Sequence, residues 1–213
     1  FTLSVTSRML DQTNGREMGF ISLGQIYYLY DRDVFLPGGE TRTEDSSPLI
    51  AQAGAEIADD WRLRGALQWD PNSNTTEKLV ACVQYHRAPD KVLNMGYRVR
   101  HTIDSISSSN TSTETNIEQS EISFHWPLAQ HWNVMGLWNY APPEGRTVDL
   151  FGGLEYDSCC FAFRAVARRF ITDATGNYNN GLFFQIELKG LAGIGQDTEE
   201  FLQENIPGFK SGF

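Results

Sequence analysis

The sequence predicts an all-β, antiparallel transmembrane β-barrel segment, on three observations. Apolar residues recur with a period of two along most of the 213-residue chain. The alternating runs are long, many of them ten residues or more, against about five or six in ordinary globular sheets. A tilted strand needs about 9 to 11 residues to cross a bilayer. Short and long connections also alternate along the chain, as in barrels with tight turns at one rim and longer loops at the other.

The clearest strand is Trp61–Trp69. Trp61, Leu63, Gly65, Leu67 and Trp69 fall on one face, and Arg62, Arg64, Ala66 and Gln68 on the other. A helix would mix the two sets, whereas a strand separates them. The same separation sets Leu79, Ala81, Val83 and Tyr85 against Lys78, Val80, Cys82, Gln84 and His86. It sets Leu93, Met95, Tyr97 and Val99 against Asn94, Arg98 and Arg100, and Ile122, Phe124 and Trp126 against Glu121, Ser123 and His125. Further on, Leu150, Leu154 and Tyr156 oppose Asp149, Glu155 and Asp157. Phe163, Ala165 and Ala167 oppose Arg164 and Arg168, and Leu182, Phe184, Ile186 and Leu188 oppose Gln185, Glu187 and Lys189. About eleven strands result, at 1–10, 16–30, 47–59, 60–70, 77–88, 91–104, 115–127, 131–141, 146–157, 159–172 and 180–191. The alternation breaks at Gln25–Tyr28, where a bulge is the reading.

Composition narrows the classes. Aromatics are 12 % of the chain, too many for a disordered acidic tail. A net charge of -10 argues against a nucleic-acid partner, which calls for a basic face. No stretch approaches the roughly 18 to 20 apolar residues of a membrane-crossing helix. The mean hydropathy of -0.37 is compatible with a barrel, because alternation averages a lipid face and a water face.

The competing fold is a soluble β-sandwich binding module, whose strands alternate too. The placement of the tryptophans favours lipid. Trp61 and Trp69 lie eight residues apart, roughly 20 Å along a membrane normal at about 3.3 Å per residue and about 40° tilt. Trp126, Trp132 and Trp138 repeat the placement at strand ends, as an aromatic girdle does. The opposite face carries long charged groups that a wet lumen accepts, and Arg98, Arg100, Arg164 and Arg168 are its candidate basic residues. These either balance anionic phosphates or pair across strands with Glu155, Glu187 and Asp149. A closed antiparallel barrel needs an even count, so about eleven strands mean either a miscount or part of a larger barrel, and the start in mid-strand without Met favours the second.

The three cysteines do not close into internal pairs. Cys159 and Cys160 are adjacent, and adjacent strand residues point to opposite faces and do not bond each other. They read as two disulfides to elsewhere in an oxidising compartment, or as two buried thiols. His86, His101, His125 and His131 lack ligand spacing. No metal, cofactor or catalytic residue is expected, and the protein is not read as an enzyme. Residues 1–191 form the barrel portion and 192–213 a tail. Within the tail Asp197 and Glu200 have capping-box spacing, which predicts a short helix at 198–204 stopped by Asn205 and Pro207.

The segment Gly153–Arg164, with Glu155-Tyr156-Asp157-Ser158-Cys159-Cys160 at its centre, followed by Ala167–Phe170, resembles the LptD family of lipopolysaccharide-assembly outer-membrane proteins. Gly181–Leu191 resembles that family's last strand, and Leu3–Asp11 and Ser22–Tyr28 are similar to it as well. The resemblance covers essentially the whole chain. It implies the C-terminal part of a barrel of about 26 strands in the outer membrane of a Gram-negative bacterium. It further implies that the barrel inserts lipopolysaccharide into the outer leaflet through a lateral seam. Gly181, Leu182, Phe183, Phe184, Gln185, Ile186, Glu187, Leu188 and Lys189 would form one side of that seam. Cys159 and Cys160 would form disulfides to an N-terminal region absent from this chain. The implied partners are lipopolysaccharide and outer-membrane lipid, an LptE-like plug lipoprotein, and a periplasmic LptA-like bridge reached through a missing jellyroll. The barrel-assembly machinery would act during folding. A passive porin-like channel is the alternative function.

Overall fold

The computed structural model describes residues 1–29, 45–88, 90–106, 111–172, 176–188, 192–195 and 198–209, with side chains 102–115 and 192 outside the description. Twelve strands follow one another in a single sheet, each beside its neighbour in sequence. They are β1 (Thr2–Leu10), β2 (Glu17–Ile26), β3 (Leu49–Ile57), β4 (Trp61–Asp70), β5 (Thr75–Ala88), β6 (Lys91–Ile106), β7 (Thr111–Ala129), β8 (Trp132–Ala141), β9 (Arg146–Asp157), β10 (Phe161–Ile171), β11 (Tyr178–Leu188) and β12 (Ala192–Gly195). One helix, α1, spans Thr198–Asn205. The all-β antiparallel reading therefore holds, with strand boundaries close to those expected.

Three details differ from the sequence reading. Among the described residues the count is twelve, because β12 pairs Ala192 and Gly193 with Leu188 and Glu187, and Ile194 and Gly195 with Ile186 and Gln185. Four residues, two of them glycine, are too few to display a period. Second, there is no bulge at Gln25–Tyr28. β2 simply ends at Ile26 and Tyr27 makes an isolated bridge to Ser46, while the register shift of the β1–β2 hairpin lies at Met9/Leu10. Third, Cys159 and Cys160 precede β10 and sit in a bend, so strand alternation does not apply to them.

The chain divides into two compact units. The first comprises Phe1–Ala58, Arg62–Cys82 and Tyr97–Glu118. Here β1 pairs with β2 and β2 with β3, both antiparallel, and every residue of β1 is exposed. Glu56 receives both Arg62 at 2.9 Å and Arg16 at 3.3 Å, a surface cluster of modest worth.

The second unit comprises Asp59–Trp61, Val83–Gly96 and Gln119–Phe213. At mid-strand its register can be followed across β7, β8, β9, β10 and β11: Phe124 pairs with Gly136, Gly136 with Gly152, Gly152 with Ala167, and Ala167 with Leu182, with register shifts toward the strand ends at Pro127/Ala129 and Asn139/Tyr140. The β7–β8 and β9–β10 turns lie at one end, where the Asp157 amide donates to the His131 carbonyl. The Pro142–Gly145 turn closes the other end of β8 and β9. There Gly145 takes φ +64°, a left-handed value that glycine adopts without Cβ strain.

One face of this sheet is covered by the chain's own C-terminal segment. Leu202, Ile206 and Phe209 are buried against Val92, Met135, Leu137, Phe151 and Val166. Ile206, one residue past α1, follows Leu202 at i+4 and its amide donates to the Leu202 carbonyl, so the two side chains share one face. The helix runs one residue beyond the expected 198–204 and stops at Asn205, whose side-chain amide donates to the Phe201 carbonyl. The expected cap, Asp197, lies outside the described residues.

Candidate functional site

Burial in the second unit is inverted relative to a water-soluble sheet. On β11, Leu182, Phe184, Ile186 and Leu188 are exposed, Leu182 to 60 %, while Gln185 between them is buried. On β9 and β10, Leu150 and Leu154 are each 45 % exposed, whereas Glu155 is at 6 % and Arg164 at 1 %. Arg164 is the bulkiest fully buried side chain among the described residues. Soluble proteins leave such charges outside and bury such aliphatics. The bare face is therefore a contiguous apolar surface, larger than isolated exposed residues explain.

Aromatic rings edge this bare face at both ends. At the short-turn end Tyr85 lies between Trp61 and Trp126, with centroids 5.0 and 6.0 Å apart. Beside the β9–β10 turn, Tyr156 lies between Trp132 and Phe161, at 5.0 and 5.7 Å. At the opposite end Trp138 packs 5.7 Å from Tyr140 and donates its indole N–H to Thr147 Oγ1 at 3.1 Å. Tyr178 donates to the Thr147 carbonyl, also at 3.1 Å. Of the expected girdle, Trp61, Trp126, Trp132 and Trp138 lie in these clusters. Trp69 occupies the far end of β4 in the first unit.

Beside that apolar cluster, the covered face carries tightly paired charges. Arg164 Nε lies 2.6 Å from Glu155 Oε2, and its Nη1 lies 2.9 Å from Glu187 Oε2, 3.3 Å from Gln185 Oε1 and 3.8 Å from Glu199 Oε2 on α1. Arg168 forms two bonds to Asp149, at 3.0 and 2.6 Å, and its guanidinium covers the Phe170 and Phe201 rings. The cross-strand pairing reading thus describes Arg164 and Arg168. Arg98 and Arg100 are exposed on β6 in the first unit.

Sequence reasoning missed the other members of this face. His125 is buried, its Nε2 3.7 Å from Glu155 Oε1, and the Phe209 ring stands edge-on to it at 4.9 Å. Gln84 and Asn94 both donate to the Pro207 carbonyl, at 3.1 and 3.0 Å. Phe201 stacks on Phe183 and meets Phe151 edge-on. The parity of His125, Gln84 and Asn94 was legible, but what they contact was not, because the contacts come from a segment distant in sequence, Pro207 and Phe209.

Cys159 and Cys160 are exposed, with their sulfurs 2.9 Å apart. A bond requires about 2.05 Å, so the pair is not a disulfide. The expected seam strand is β11, next to last in the sheet order rather than last. β12 covers only its Gln185–Leu188 half, and Lys189 lies outside the described residues. Among the described residues no group of His, Cys, Asp and Glu has the geometry of a metal site.

The family model described as LptD, LPS transport system D, matches residues 1–132. The chain is 38 % identical over 212 residues to the LPS-assembly protein LptD of Nitrosococcus oceani, covering 100 % of this chain and 27 % of that protein. It is 34 % identical over 210 residues to the protein of that name from Xylella fastidiosa, and 36 % over 238 residues to that from Pseudomonas aeruginosa; each match covers 98 % of this chain and 26 % of the relative. The chain thus spans about a quarter of the length of the curated relatives it matches.

Proposed function

The chain belongs to the LptD family, and on that premise we propose that it forms part of the wall of an outer-membrane barrel that delivers lipopolysaccharide to the outer leaflet. The bare face meets lipid and the covered face lines the interior. The single observation that carries this reading is the inversion of burial, with Leu182 exposed and Arg164 buried. Strands suit this role, because a closed sheet satisfies its backbone polar groups where no water can. No helix among the described residues is long and apolar enough to cross a membrane.

Delivery of this kind needs no covalent chemistry, so the protein acts as a conduit and not as an enzyme. It needs a wet interior for sugars and phosphates and a sideways exit for acyl chains. The Tyr178–Phe184 half of β11, which β12 leaves uncovered, is one side of that exit. Opening it breaks backbone hydrogen bonds worth about 1 kcal/mol each in water and more in lipid. A short pairing partner therefore suits a seam better than a full-length one. Arg164 and Arg168, already saturated by carboxylates, hold the wall together instead of contacting phosphate. Cys159 and Cys160, exposed at the short-turn end, form disulfides to cysteines of an N-terminal region of the longer protein. An LptE-like lipoprotein within the barrel and an LptA-like periplasmic bridge complete the route, and the barrel-assembly machinery inserts it.

The test places a charge on each face of the full-length protein. Leu182→Arg on the bare face, level with Ala167 and Gly152 at mid-strand, is expected to cost about 2–4 kcal/mol near the bilayer midplane. It should deplete assembled protein and surface lipopolysaccharide. Gln203→Arg on the exposed side of α1 is expected to leave both near wild type. Equal tolerance of the two would overturn the reading.

A further inference from the structure

The bare face is not smooth. Between its two aromatic edges a groove of about 610 Å³ crosses β7 to β11. Its floor is the run of small residues Gly136, Gly152 and Ala167, neighbours in register, and Phe124 and Leu182 stand at its two ends. A Cβ built on Gly152 meets nothing within 4 Å, so the groove is open there to whatever lies outside. Its volume falls in the range of about 300–1,000 Å³ typical of small-molecule sites, and its lining is almost wholly carbon.

Apolarity alone does not select an occupant in a bilayer, where every lipid tail is equally apolar and fit and polar contacts decide. The selective element lies one step along β10. Arg169 faces the same side as Ala165 and Ala167, paired with Leu150 on β9 and Asn180 on β11. It is exposed, its guanidinium lies 4.1 Å above the Tyr178 ring, and no carboxylate among the described residues forms an ion pair with it. Trp138 and Tyr178, both anchored on Thr147, stand at the same level. An arginine fork among interfacial aromatics is suited to a phosphate oxygen pair. This end carries the β10–β11 connection, opposite the short turns, which is the outward-facing end in such barrels.

We infer that the groove holds one acyl chain of the lipid part of lipopolysaccharide, with Arg169 taking its phosphate. The site lies beside β11, where the proposed exit opens, and would receive the lipid as it leaves. The inference rests on the proposed function for the bare face being lipid-facing.

In-cell photo-cross-linking of the full-length protein tests it, with a benzophenone side chain at Leu154 in the groove wall or at Leu23, an exposed β2 position. Lipopolysaccharide adducts are expected at Leu154 well above those at Leu23. Arg169→Gln should lower the Leu154 adduct about tenfold, the scale of losing one hydrogen bond to a charged group. Gly152→Leu fills the groove from its open floor without a backbone clash and should lower it as far, with the amount of assembled barrel unchanged. Equal adducts at the two positions, adducts indifferent to both substitutions, or adducts of phospholipid alone would each overturn the inference while leaving the lipid-facing reading intact. Absence of any lipid adduct at both positions, with both probes open to water-soluble quenchers, would overturn the two together.

Discussion

Arg164 and Glu155 face each other as register partners on β10 and β9, with Nε 2.6 Å from Oε2 and both side chains almost wholly buried. A buried ion pair is weak evidence for stability, but removing one member strands the other charge. Arg164→Met is expected to destabilise the folded protein by roughly 3–5 kcal/mol. Glu155, Glu187 and Glu199 then face one another without their shared cation. Combining Arg164→Met with Glu155→Leu should recover part of the loss. Urea midpoints of the purified full-length protein check both, and a neutral single substitution would refute the bridging role.

The C-terminal segment is expected to behave as a docked element. Phe209→Ala removes the ring against His125 and Leu202→Ala empties a fully buried site. Each should cost about 2–5 kcal/mol of docking energy. Hydrogen exchange is expected to rise across 198–209 while β8 and β9 remain protected. Uniform loosening of the strands would show that the segment is part of the sheet's own core.

The sulfurs of Cys159 and Cys160 lie 2.9 Å apart and are not joined as a disulfide. In the mature full-length protein each is expected to be oxidised to a distant cysteine, giving two long-range disulfides by peptide mapping without reduction. A Cys159–Cys160 disulfide, or two reduced thiols, would contradict this.

Much of the strand pattern was legible because period two is visible wherever one face is apolar and the other polar, as in Trp61–Trp69 or Leu182–Leu188. It was less legible on β8, where Val134 and Trp138 face the bare side and Met135 and Leu137 the covered side. That two-sided apolar strand is the sign of a docking partner, and the partner is α1. The helix could be placed from its capping-box spacing. Its destination could not, because eight residues with two apolar anchors do not specify a wall of Val92, Met135 and Phe151 far away in sequence. The groove escaped for another reason. Gly136, Gly152 and Ala167 are unremarkable on their own strands and line up only once the registers are known.

The most direct measurement concerns the inversion of faces. Spin labels placed singly along β11 of the full-length protein in vesicles report contact with oxygen, which concentrates in lipid, or with a water-soluble nickel chelate. Labels at Leu182, Phe184 and Ile186 are expected to be rich in oxygen contact and shielded from nickel. Labels at Phe183, Gln185 and Glu187 should lack that oxygen signature, giving alternation with a period of two. Nickel contact at Leu182, Phe184 and Ile186 would contradict a lipid-facing bare surface.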